Sequence, residues 1–476
     1  MSDYTSSVTA TNHPLVANYT LSAPAGSTMS VNFGPTTAYG FSTWTLPAPA
    51  GGGPLTILVA GMQASSAYHM QAVVTLQDGS TVNDQDHTFQ TGELPPDDIP
   101  QLSVKTNTAP NAGVELVNMN PGCPVVCDLE GNIIWFYLDQ PVDIAHDGHP
   151  MPLKTLANGN VMALITNRYT ADGQSDPYGV LREVDLSCTT ISNQYGVREI
   201  SLSDLNAKLQ NIRTPFGSLM QVKFYSHDFL PLPNGHLIAL CQLYQDGCWG
   251  DALVDLDESL TPVWVWSIYD VLNLNRHPYR WDPFLDWTHS NCVQLTPDGN
   301  LLLSVRNQSW ILKIDYAGGT GKILWKLGYE GDFALTGGAP DAWFFAQHFP
   351  NILNTSGSHI TRLGVIDNGN YQAVGDPPFA SKAMIVNIDE GSRTASVGWQ
   401  DPVSPNYFSY WGGSIDVLGN GNVEYCMSDP YPDSTPPYSF AREVTLSNEI
   451  VWEMNISPSY AYRCYRIPSL YPGVQW

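Results

Sequence analysis

Three histidines, His227, His289 and His348, stand at related places in the sequence. His227 lies seven residues before the Asn-Gly pair of "LPNG", and His289 lies nine residues before the Asp-Gly pair of "TPDG". His348 is in the apolar run "WFFAQHFPNIL" ahead of "VIDNGN", with a longer segment between them. Imidazole titrates near neutral pH and serves as an acid, a base or a nucleophile. The shared placement predicts that the three imidazoles meet in one site.

Asn291 and Arg306 extend this pattern. Asn291 is two residues after His289, which predicts the same face of one strand. Arg306 stands in the otherwise apolar "LLSVRNQSWILKID", where a guanidinium needs an anion or a carboxylate as partner. A metal is disfavoured because Asp228 and Asp286 are the only acidic residues near the histidines in sequence and Arg306 repels a cation. A tetrahedral oxyanion fits the cluster better, so we expect no metal and no cofactor.

The remaining histidines are interpreted as core or surface residues, because a lone histidine on a strand is usually satisfied by hydrogen bonds. They are His13, His69, His87, His146, His149, His236, His277 and His359.

The eight cysteines contain no CxxC pair, which argues against a zinc ribbon or a redox motif. Small disulfide loops from Cys123 to Cys127, or from Cys241 to Cys248, are one reading if the protein is exported. Buried free thiols are an equal alternative.

Charge and hydropathy exclude two classes of partner. The chain has 45 acidic and 20 basic residues and a formal charge of -25, so its field repels nucleic acid. No apolar run is long enough to span a bilayer, which predicts no membrane insertion. The N-terminus "MSDYTSSVTATNHP" has neither the basic nor the apolar part of a signal peptide, so the chain is either cytoplasmic or a trimmed mature form.

Two repeated signatures define the elements that position these residues. An Asn-Gly or Asp-Gly hairpin turn between apolar runs recurs in "LANGNVMAL", "LPNGHLIAL", "TPDGNLLLS", "IDNGNYQAV" and "LGNGNVEYC". A second hairpin, usually with Asp in its turn and Trp near its end, recurs in "VCDLEGNIIWF", "REVDLSCTTIS", "VDLDESLTPVWVW", "KIDYAGGTGKILWKL", "VNIDEGSRTASVGW" and "REVTLSNEIVWEM". Two hairpins per repeat and six repeats predict a six-bladed β-propeller over residues 101–476. A large β-sandwich or a solenoid is the less favoured alternative.

Residues 1–98 differ in composition and alternate as short strands. The segment from "GMQASSAYHMQAVVTLQDGS" to "HTFQTGELPP" is typical of the end of a fibronectin type III-like β-sandwich, followed by a linker. The fold class is therefore all-β, with this sandwich ahead of the propeller. One helix is predicted between Ser201 and Ile212, capped by Ser203.

Several motifs together resemble the bacterial PAPS-independent arylsulfotransferases, the arylsulfate sulfotransferase family. They are "DWTHSN", "LTPDGNLLLSVRNQSWILKID", "GKILWKLG", "QHFP", "VIDNGN" and "YRCYRIPSLYPG". The resemblance implies transfer of a sulfuryl group from an aryl sulfate to a phenol by a ping-pong route, with His348 as the sulfated nucleophile. It implies that His227, His289, Asn291 and Arg306 hold the sulfuryl oxygens and assist proton transfer. It also implies export to the periplasm or the medium, although some relatives have a disulfide ahead of the nucleophile that this chain lacks.

Physical chemistry agrees with those implied roles. Apolar surroundings and Arg306 are expected to lower the pKa of His348 and keep it neutral. One of His227 and His289 would protonate the leaving phenolate, and the sequence leaves open which one. An aryl pocket is expected from some of the residues Trp287, Trp343, Phe344, Phe345, Tyr407 and Trp411, although most of these are expected to be core. Ser409 or Ser414 is a weaker candidate for a further hydroxyl ligand.

Two other functions stay open on sequence grounds. The propeller and sandwich together form a binding module if the histidines are incidental, and the enzyme is an aryl sulfatase-like hydrolase if water takes the sulfuryl group from His348. The N-terminal sandwich has two expected uses, formation of a homodimer or the covering of one propeller face.

Overall fold

The structure, a computed structural model, describes residues 5–97, 99–145, 148–167, 178–278, 286–337, 342–370, 380–401, 407–430 and 434–476. Strands dominate, and the prediction of an all-β fold is confirmed. Within these ranges the helical elements are α1 (Pro141–Ala145), α2 (Leu202–Leu209) and two 3-10 turns, Ile268–Asp270 and Arg306–Gln308. None of the helices in these ranges has the length and apolarity that crossing a bilayer requires.

The N-terminal strands form two sheets around their own apolar core. The strands are β1 (Ser6–Ala10), β2 (Ala17–Ala23), β3 (Thr28–Gly34), β4 (Phe41–Ser42), β5 (Leu46–Pro47), β6 (Gly53–Val59), β7 (Ala67–Thr75), β8 (Thr81–Asn83) and β9 (His87–Gln90). One sheet holds β1, β2 and β6, and the other holds β3, β4, β5, β7, β8 and β9. Alternate residues such as Tyr19, Val31 and Met70 are buried between them, as the period of two in a strand requires. The hydroxyl of Tyr68 accepts from the Gln63 amide at 3.0 Å and fixes the loop before β7.

The later strands follow one another as hairpins. They are β10 (Gln101–Asn107), β11 (Val114–Met119), β12 (Val125–Cys127), β13 (Ile133–Phe136), β14 (His149–Thr155), β15 (Val161–Thr166), β16 (Gly179–Val184), β17 (Ser192–Asn193), β18 (Gly196–Val197), β19 (Glu199–Ser201), β20 (Phe224–Pro231), β21 (Leu237–Gln245), β22 (Cys248–Leu256), β23 (Pro262–Ser267), β24 (Ser290–Leu295), β25 (Leu301–Val305), β26 (Trp310–Ile314), β27 (Ile323–Gly328), β28 (Ala334–Leu335), β29 (His348–Ser356), β30 (His359–Asp367), β31 (Lys382–Asp389), β32 (Thr394–Gln400), β33 (Ser414–Val417), β34 (Val423–Met427), β35 (Ser439–Val444), β36 (Ile450–Ser457) and β37 (Ala461–Ile467).

Within the described ranges, the strands after β9 form six sheets of four or five strands and one two-stranded ribbon, β17-β18. The sheets are β13-β12-β11-β37, β14-β15-β16-β19, β20-β21-β22-β23, β24-β25-β26-β27, β28-β32-β31-β30-β29 and β10-β36-β35-β34-β33. One edge strand of each sheet contacts the corresponding strand of the next sheet, in the order β14, β20, β24, β29, β33, β37 and back to β14. We call these six strands the inner ring.

Most of the predicted Asn-Gly and Asp-Gly turns are observed. Gly159, Gly235, Gly299 and Gly421 all have φ between 77° and 85°, in the left-handed region that glycine tolerates, and each closes a hairpin that starts on an inner-ring strand. The fifth copy is an exception, because the Asn-Gly of "VIDNGN" follows β30 instead of joining β29 to β30. Residue Ile366 pairs with His348 across these two strands, so "VIDNGN" lies beside the start of β29.

The Trp of the second signature ties neighbouring sheets together. In five copies its indole N–H donates to the outer turn of the next sheet, at distances of 2.8–3.1 Å. The pairs are Trp135 with Leu186 O, Trp266 with Gly321 O, Trp325 with Glu390 Oε2, Trp399 with Asn448 Oδ1, and Trp452 with Leu129 O. Apolar clusters fill the space between adjacent sheets.

Two local details correct or refine the sequence predictions. Helix α2 is capped by Ser201, whose hydroxyl accepts from the Asp204 amide at 3.1 Å, so Ser203 is not the cap. All eight cysteines are buried free thiols, so neither of the two small disulfide loops is present in this structure.

Candidate functional site

His348 opens strand β29 and is 1% exposed. Its Nδ1 lies 2.7 Å from Oδ1 of Asn368, which belongs to the "VIDNGN" segment. The Asn368 amide nitrogen donates to the carbonyls of Ser409 (2.7 Å) and Gly412 (3.2 Å), which leaves its oxygen as the acceptor. His348 Nδ1 therefore carries the proton, and the lone pair is on Nε2.

The electrostatic surroundings keep His348 uncharged. Burial first, and then the positive charge of Arg306, lower the pKa of His348 well below its ordinary value. Arg306 itself begins the 3-10 turn at the end of β25, where the sequence had predicted a strand position. Its guanidinium donates to Asn307 Oδ1 and to the carbonyl of Tyr410, both at 2.9 Å. A neutral imidazole with a free Nε2 lone pair is the form that can act as a nucleophile.

His289 is held by carboxylates on two sides. Its Nδ1 makes a short hydrogen bond to Asp286 Oδ2. Its backbone has φ 50°, and the residues before and after it, Thr288 and Ser290, both donate to the buried Asp251 at 2.6 Å. Burial raises the pKa of Asp251 to about 6. Because a left-handed, non-glycine conformation costs about 1–3 kcal/mol, these contacts are needed to keep the imidazole in position.

His227 completes the group of imidazoles. Its ring centroid lies 4.5 Å from that of His289 and 6.0 Å from that of Tyr462. Tyr462, from the last inner-ring strand, also lies 6.0 Å from the His348 ring. The ring of Trp411 stacks against Tyr462 at 6.3 Å with an interplanar angle of 16°. The structure thus brings the three sequence-predicted histidines to one end of the inner ring, beside an aromatic wall.

Asn291 lies next to this group, but the reason given from sequence is wrong. His289 precedes β24 and has a left-handed backbone, so strand alternation does not relate it to Asn291. The Asn291 amide donates to the carbonyl of Gln347, the neighbour of His348, at 2.8 Å. Its Oδ1 is buried and has no hydrogen-bond partner among the residues that the structure describes, and its backbone carbonyl accepts from Arg463.

The remaining candidate residues pack between sheets or bond to backbone groups. Among the aromatic residues considered for an aryl pocket, Trp287, Trp343, Phe344, Phe345 and Tyr407 pack in the clusters between sheets. Ser409 Oγ donates to Trp411 O at 3.1 Å and accepts from the Asp429 amide at the same distance. Ser414 Oγ donates to Cys464 O at 2.8 Å, so both hydroxyls are committed to backbone groups.

The histidines outside the site are accounted for within the described residues. His13 is buried, bonded to the Phe136 carbonyl at 2.8 Å and stacked on Trp135, and burial lowers its pKa to about 4. His69 pairs with Asp86 and His236 with Asp255, at 2.7 and 3.0 Å. His87 bonds to Ser6 at 2.9 Å, His359 lies near Glu390, and His149 is exposed. His277 is half-buried, and His146 lies outside the described residues. In the part of the chain that the structure describes, no cluster of His, Cys, Asp and Glu has a geometry for holding a metal ion.

The model of the Arylsulfotransferase (ASST) family matches residues 100–466. The chain belongs to the arylsulfotransferase family. The matched residues include every histidine, arginine and asparagine of the site described above, and membership supports an arylsulfotransferase activity in general.

Solved structures and curated proteins add little to this assignment. A Lactobacillus plantarum protein is similar at 7% identity and a TM-score of 0.36, covering 74% of this arylsulfotransferase chain and 99% of its own. A quinonprotein alcohol dehydrogenase-like protein from Bacteroides thetaiotaomicron is similar at 12% identity and 0.34, covering 98% and 100%. Virginiamycin B lyase from Staphylococcus aureus is similar at 11% and 0.28, covering 74% and 73%. These scores are too low to carry an argument, and no curated protein matches the chain.

Three residues of this candidate site are not among the site residues predicted from the sequence. They are Asn368, Tyr462 and Asp286. Signals for them were visible, since "VIDNGN" and "YRCYRIPSLYPG" were both noted as motifs, and Asp286 begins "DWTHSN". Asn368 was overlooked because its motif was taken for a hairpin turn like the other four.

Proposed function

We propose that this chain transfers a sulfuryl group from an aryl sulfate to a phenolic acceptor by a ping-pong route through a sulfated His348, without PAPS. The observation that carries the proposal is the hydrogen bond from His348 Nδ1 to Asn368, because it leaves a lone pair on the Nε2 of a neutral, buried imidazole. Family membership supports the general activity. The intermediate, the order of steps and the roles of the residues are inferred from the geometry.

In the first half-reaction, His348 Nε2 forms a bond to sulfur while the bond from sulfur to the aryl oxygen breaks. The departing phenolate takes a proton from His289, which thereby becomes neutral. In the second half-reaction, the acceptor phenol gives its proton to His289 and its oxygen attacks sulfur, and the bond from sulfur to Nε2 breaks. Each half-reaction restores the protonation state that the next one needs.

The choice of His289 over His227 as the acid and base rests on Asp286. The carboxylate accepts from Nδ1 of His289, which orients the ring and stabilises its imidazolium form. Nδ1 of His227 lies 3.1 Å from the hydroxyl of Ser226. We assign His227 to binding a sulfuryl oxygen.

Arg306 and Asn291 are proposed to hold the sulfuryl group. By analogy with phosphoryl transfer, the transition state is loose and its equatorial oxygens carry the charge, so fixed donors contribute most of the catalysis. Arg306 is close enough to His348 to lower the pKa of its imidazole. Asn291 secures the carbonyl that precedes His348 in the chain. Trp411 and Tyr462 are proposed to contact the aryl ring.

We further propose that the six sheets are the blades of one propeller over residues 101–476, with a fibronectin type III-like sandwich over residues 1–98. The cyclic order of contacts in the inner ring supports the first part, and the position of Tyr68 supports the second. Export to the periplasm or medium and assembly as a homodimer are proposals that fractionation and size-exclusion chromatography test.

Incubation with 4-nitrophenyl sulfate tests the function. Release of nitrophenol that depends on added phenol supports transfer, whereas release without an acceptor identifies a hydrolase. No release at all identifies a binding module. A quenched enzyme whose intact mass shows no sulfuryl adduct, or full activity in His348→Ala, would overturn the covalent route.

A further inference from the structure

The far end of the inner ring holds a large cavity that the proposed transfer reaction does not use. The cavity has a volume of about 820 Å³, within the range typical of small-molecule sites. Its lining includes residues at or near the ends of inner-ring strands, Thr155, Leu230, Leu295 and Ile467, together with Ile352 from the middle of β29. His348 opens β29, His289 immediately precedes β24, and His227 lies in the first half of β20, so the cavity is at the opposite mouth.

A layer of buried side chains separates the opposite mouth from the histidines. Asp228 and Arg463 are fully buried, and their charged groups lie 3.4 Å apart. On the site side, Arg463 donates to Asn291 O and to Tyr462 Oη. On the cavity side, it donates to Tyr465 Oη at 3.2 Å. A ligand in the cavity therefore occupies a chamber of its own.

The basic side chains around the cavity are already paired with carboxylates. Lys154 Nζ lies 2.6 Å from Asp228, and Arg466 bonds to Glu115 and Glu443 at 2.9 and 3.1 Å. An anionic ligand would lose its hydration without gaining an unpaired positive charge, and burying a charge in that way is costly. Asp416 in the lining has no basic partner among the described residues, and burial raises its pKa, which disfavours the charged carboxylate that a cation would need.

The polar amides at the rim are also satisfied. Gln294 bonds to Asn351 at 3.1 Å and accepts from the Ile352 amide at 3.0 Å, and Asn351 donates to Asp416 at 3.0 Å. The remaining lining is mainly aliphatic and aromatic, including Leu116, Leu153 and Phe349. Apolar walls with few available polar groups favour an apolar ligand.

We propose that the opposite mouth is a binding site for a neutral, mainly apolar aromatic small molecule. The aliphatic ends of the inner-ring strands contact its rings. Lys154 has two of its three N–H donors committed to Asp228 and the Phe229 carbonyl, and the third is left for an oxygen or a ring face of the ligand. The site is independent of whether the histidine end transfers sulfuryl groups.

Two dyes with the same rings and different charge test this assignment. N-phenyl-1-naphthylamine is neutral, and 8-anilinonaphthalene-1-sulfonate carries a sulfonate. Fluorescence titration of the wild-type protein should give one saturable site for the neutral dye, with at least about tenfold weaker binding of the anionic dye. Absence of saturable binding of the neutral dye, or equal binding of both dyes, would overturn the proposal.

Cavity-filling variants locate the site. Leu230→Trp and Ile352→Trp place indoles in the cavity from two different sheets, and we expect each to weaken the neutral dye at least about tenfold. Leu324→Trp, at a position 42% exposed on β27, is the matched control and should bind as wild type. His348→Ala should also bind as wild type, since the dye is not at the histidine end. Thermal unfolding of each variant identifies any variant that fails to fold. Unchanged dye binding in folded Leu230→Trp and Ile352→Trp would refute the location of the site in this cavity.

Discussion

The hydrogen bond from His348 to Asn368 makes a quantitative prediction for the first half-reaction. In Asn368→Ala the acceptor of the Nδ1 proton is lost, so the imidazole is free to rotate and to move its proton to Nε2. Losing a buried hydrogen bond while its partner stays costs about 1–3 kcal/mol. Because about 1.4 kcal/mol is tenfold in rate, we expect sulfation of the enzyme to slow by about 5- to 150-fold.

The assay is the pre-steady-state burst of nitrophenol from 4-nitrophenyl sulfate, which follows sulfation of the enzyme and not transfer to the acceptor. Asn158→Ala is the matched control. Asn158 lies in the turn between β14 and β15, away from the site, and its side chain bonds to Glu183. A burst in Asn368→Ala that stays within about twofold of this control would refute the tautomer argument.

Asn368→Asp tests the same contact through pH. Neutral His348 is the reactive form, so the burst falls as the pH drops through its pKa, which burial and Arg306 place below the ordinary value. A carboxylate at about 4 Å stabilises the imidazolium by about 4 kcal/mol at an effective dielectric constant near 20. That corresponds to about three pKa units, so the acid limb of the burst profile should move to higher pH by about that amount. An acid limb at the wild-type position would show that residue 368 does not contact Nδ1 in solution.

Three further predictions concern Arg306, Asp286 and, outside the site, His13. Arg306→Gln should lower kcat by about 100- to 1000-fold through loss of transition-state stabilisation. It should also move the acid limb of the burst profile to higher pH, because the charge that lowers the pKa of His348 is gone. An unchanged kcat would contradict the role given to Arg306. Asp286→Asn should slow phenyl sulfate, whose leaving group needs a proton, about 100-fold more than 4-nitrophenyl sulfate, and equal losses would remove His289 from the acid role. His13 has a folded-state pKa near 4, below the ordinary 6.5, so its stabilisation is complete above pH 6.5 and is lost as the pH falls toward 4. When the pH is lowered from 7 to 5, the free energy of unfolding of His13→Gln should fall by about 2 kcal/mol less than that of the wild type. Chemical unfolding measures this difference, with the exposed His149→Gln as control.

The sequence predicted local structure well because hairpin turns have local chemical requirements. Asn-Gly and Asp-Gly pairs mark four of the turns on inner-ring strands, and the Trp of the second signature has a common use as a tie between sheets. The same local reasoning misled us at Asn368, where an Asn-Gly pair of identical appearance bonds a histidine twenty residues away.

The details of the site depend on contacts that no local pattern encodes. From a different sheet, Asp251 accepts from the Thr288 hydroxyl and the Ser290 amide on the two sides of His289, whose left-handed conformation strand alternation cannot anticipate. Tyr462 reaches the imidazoles from the last strand of the chain. The sequence identified which residue types belong together, and the fold determined which atoms of each are available.

The pairing of β37 with β11 has a consequence for biosynthesis. The sheet that contains β11, β12 and β13 lacks its inner-ring strand until Ala461–Ile467 has been made. Tyr462 and Arg463 are on that strand, so a nascent chain still inside the ribosome cannot complete the wall between the two ends of the ring. A chain that has not yet produced Ala461–Ile467 therefore lacks Tyr462 and Arg463 and cannot assemble the proposed site.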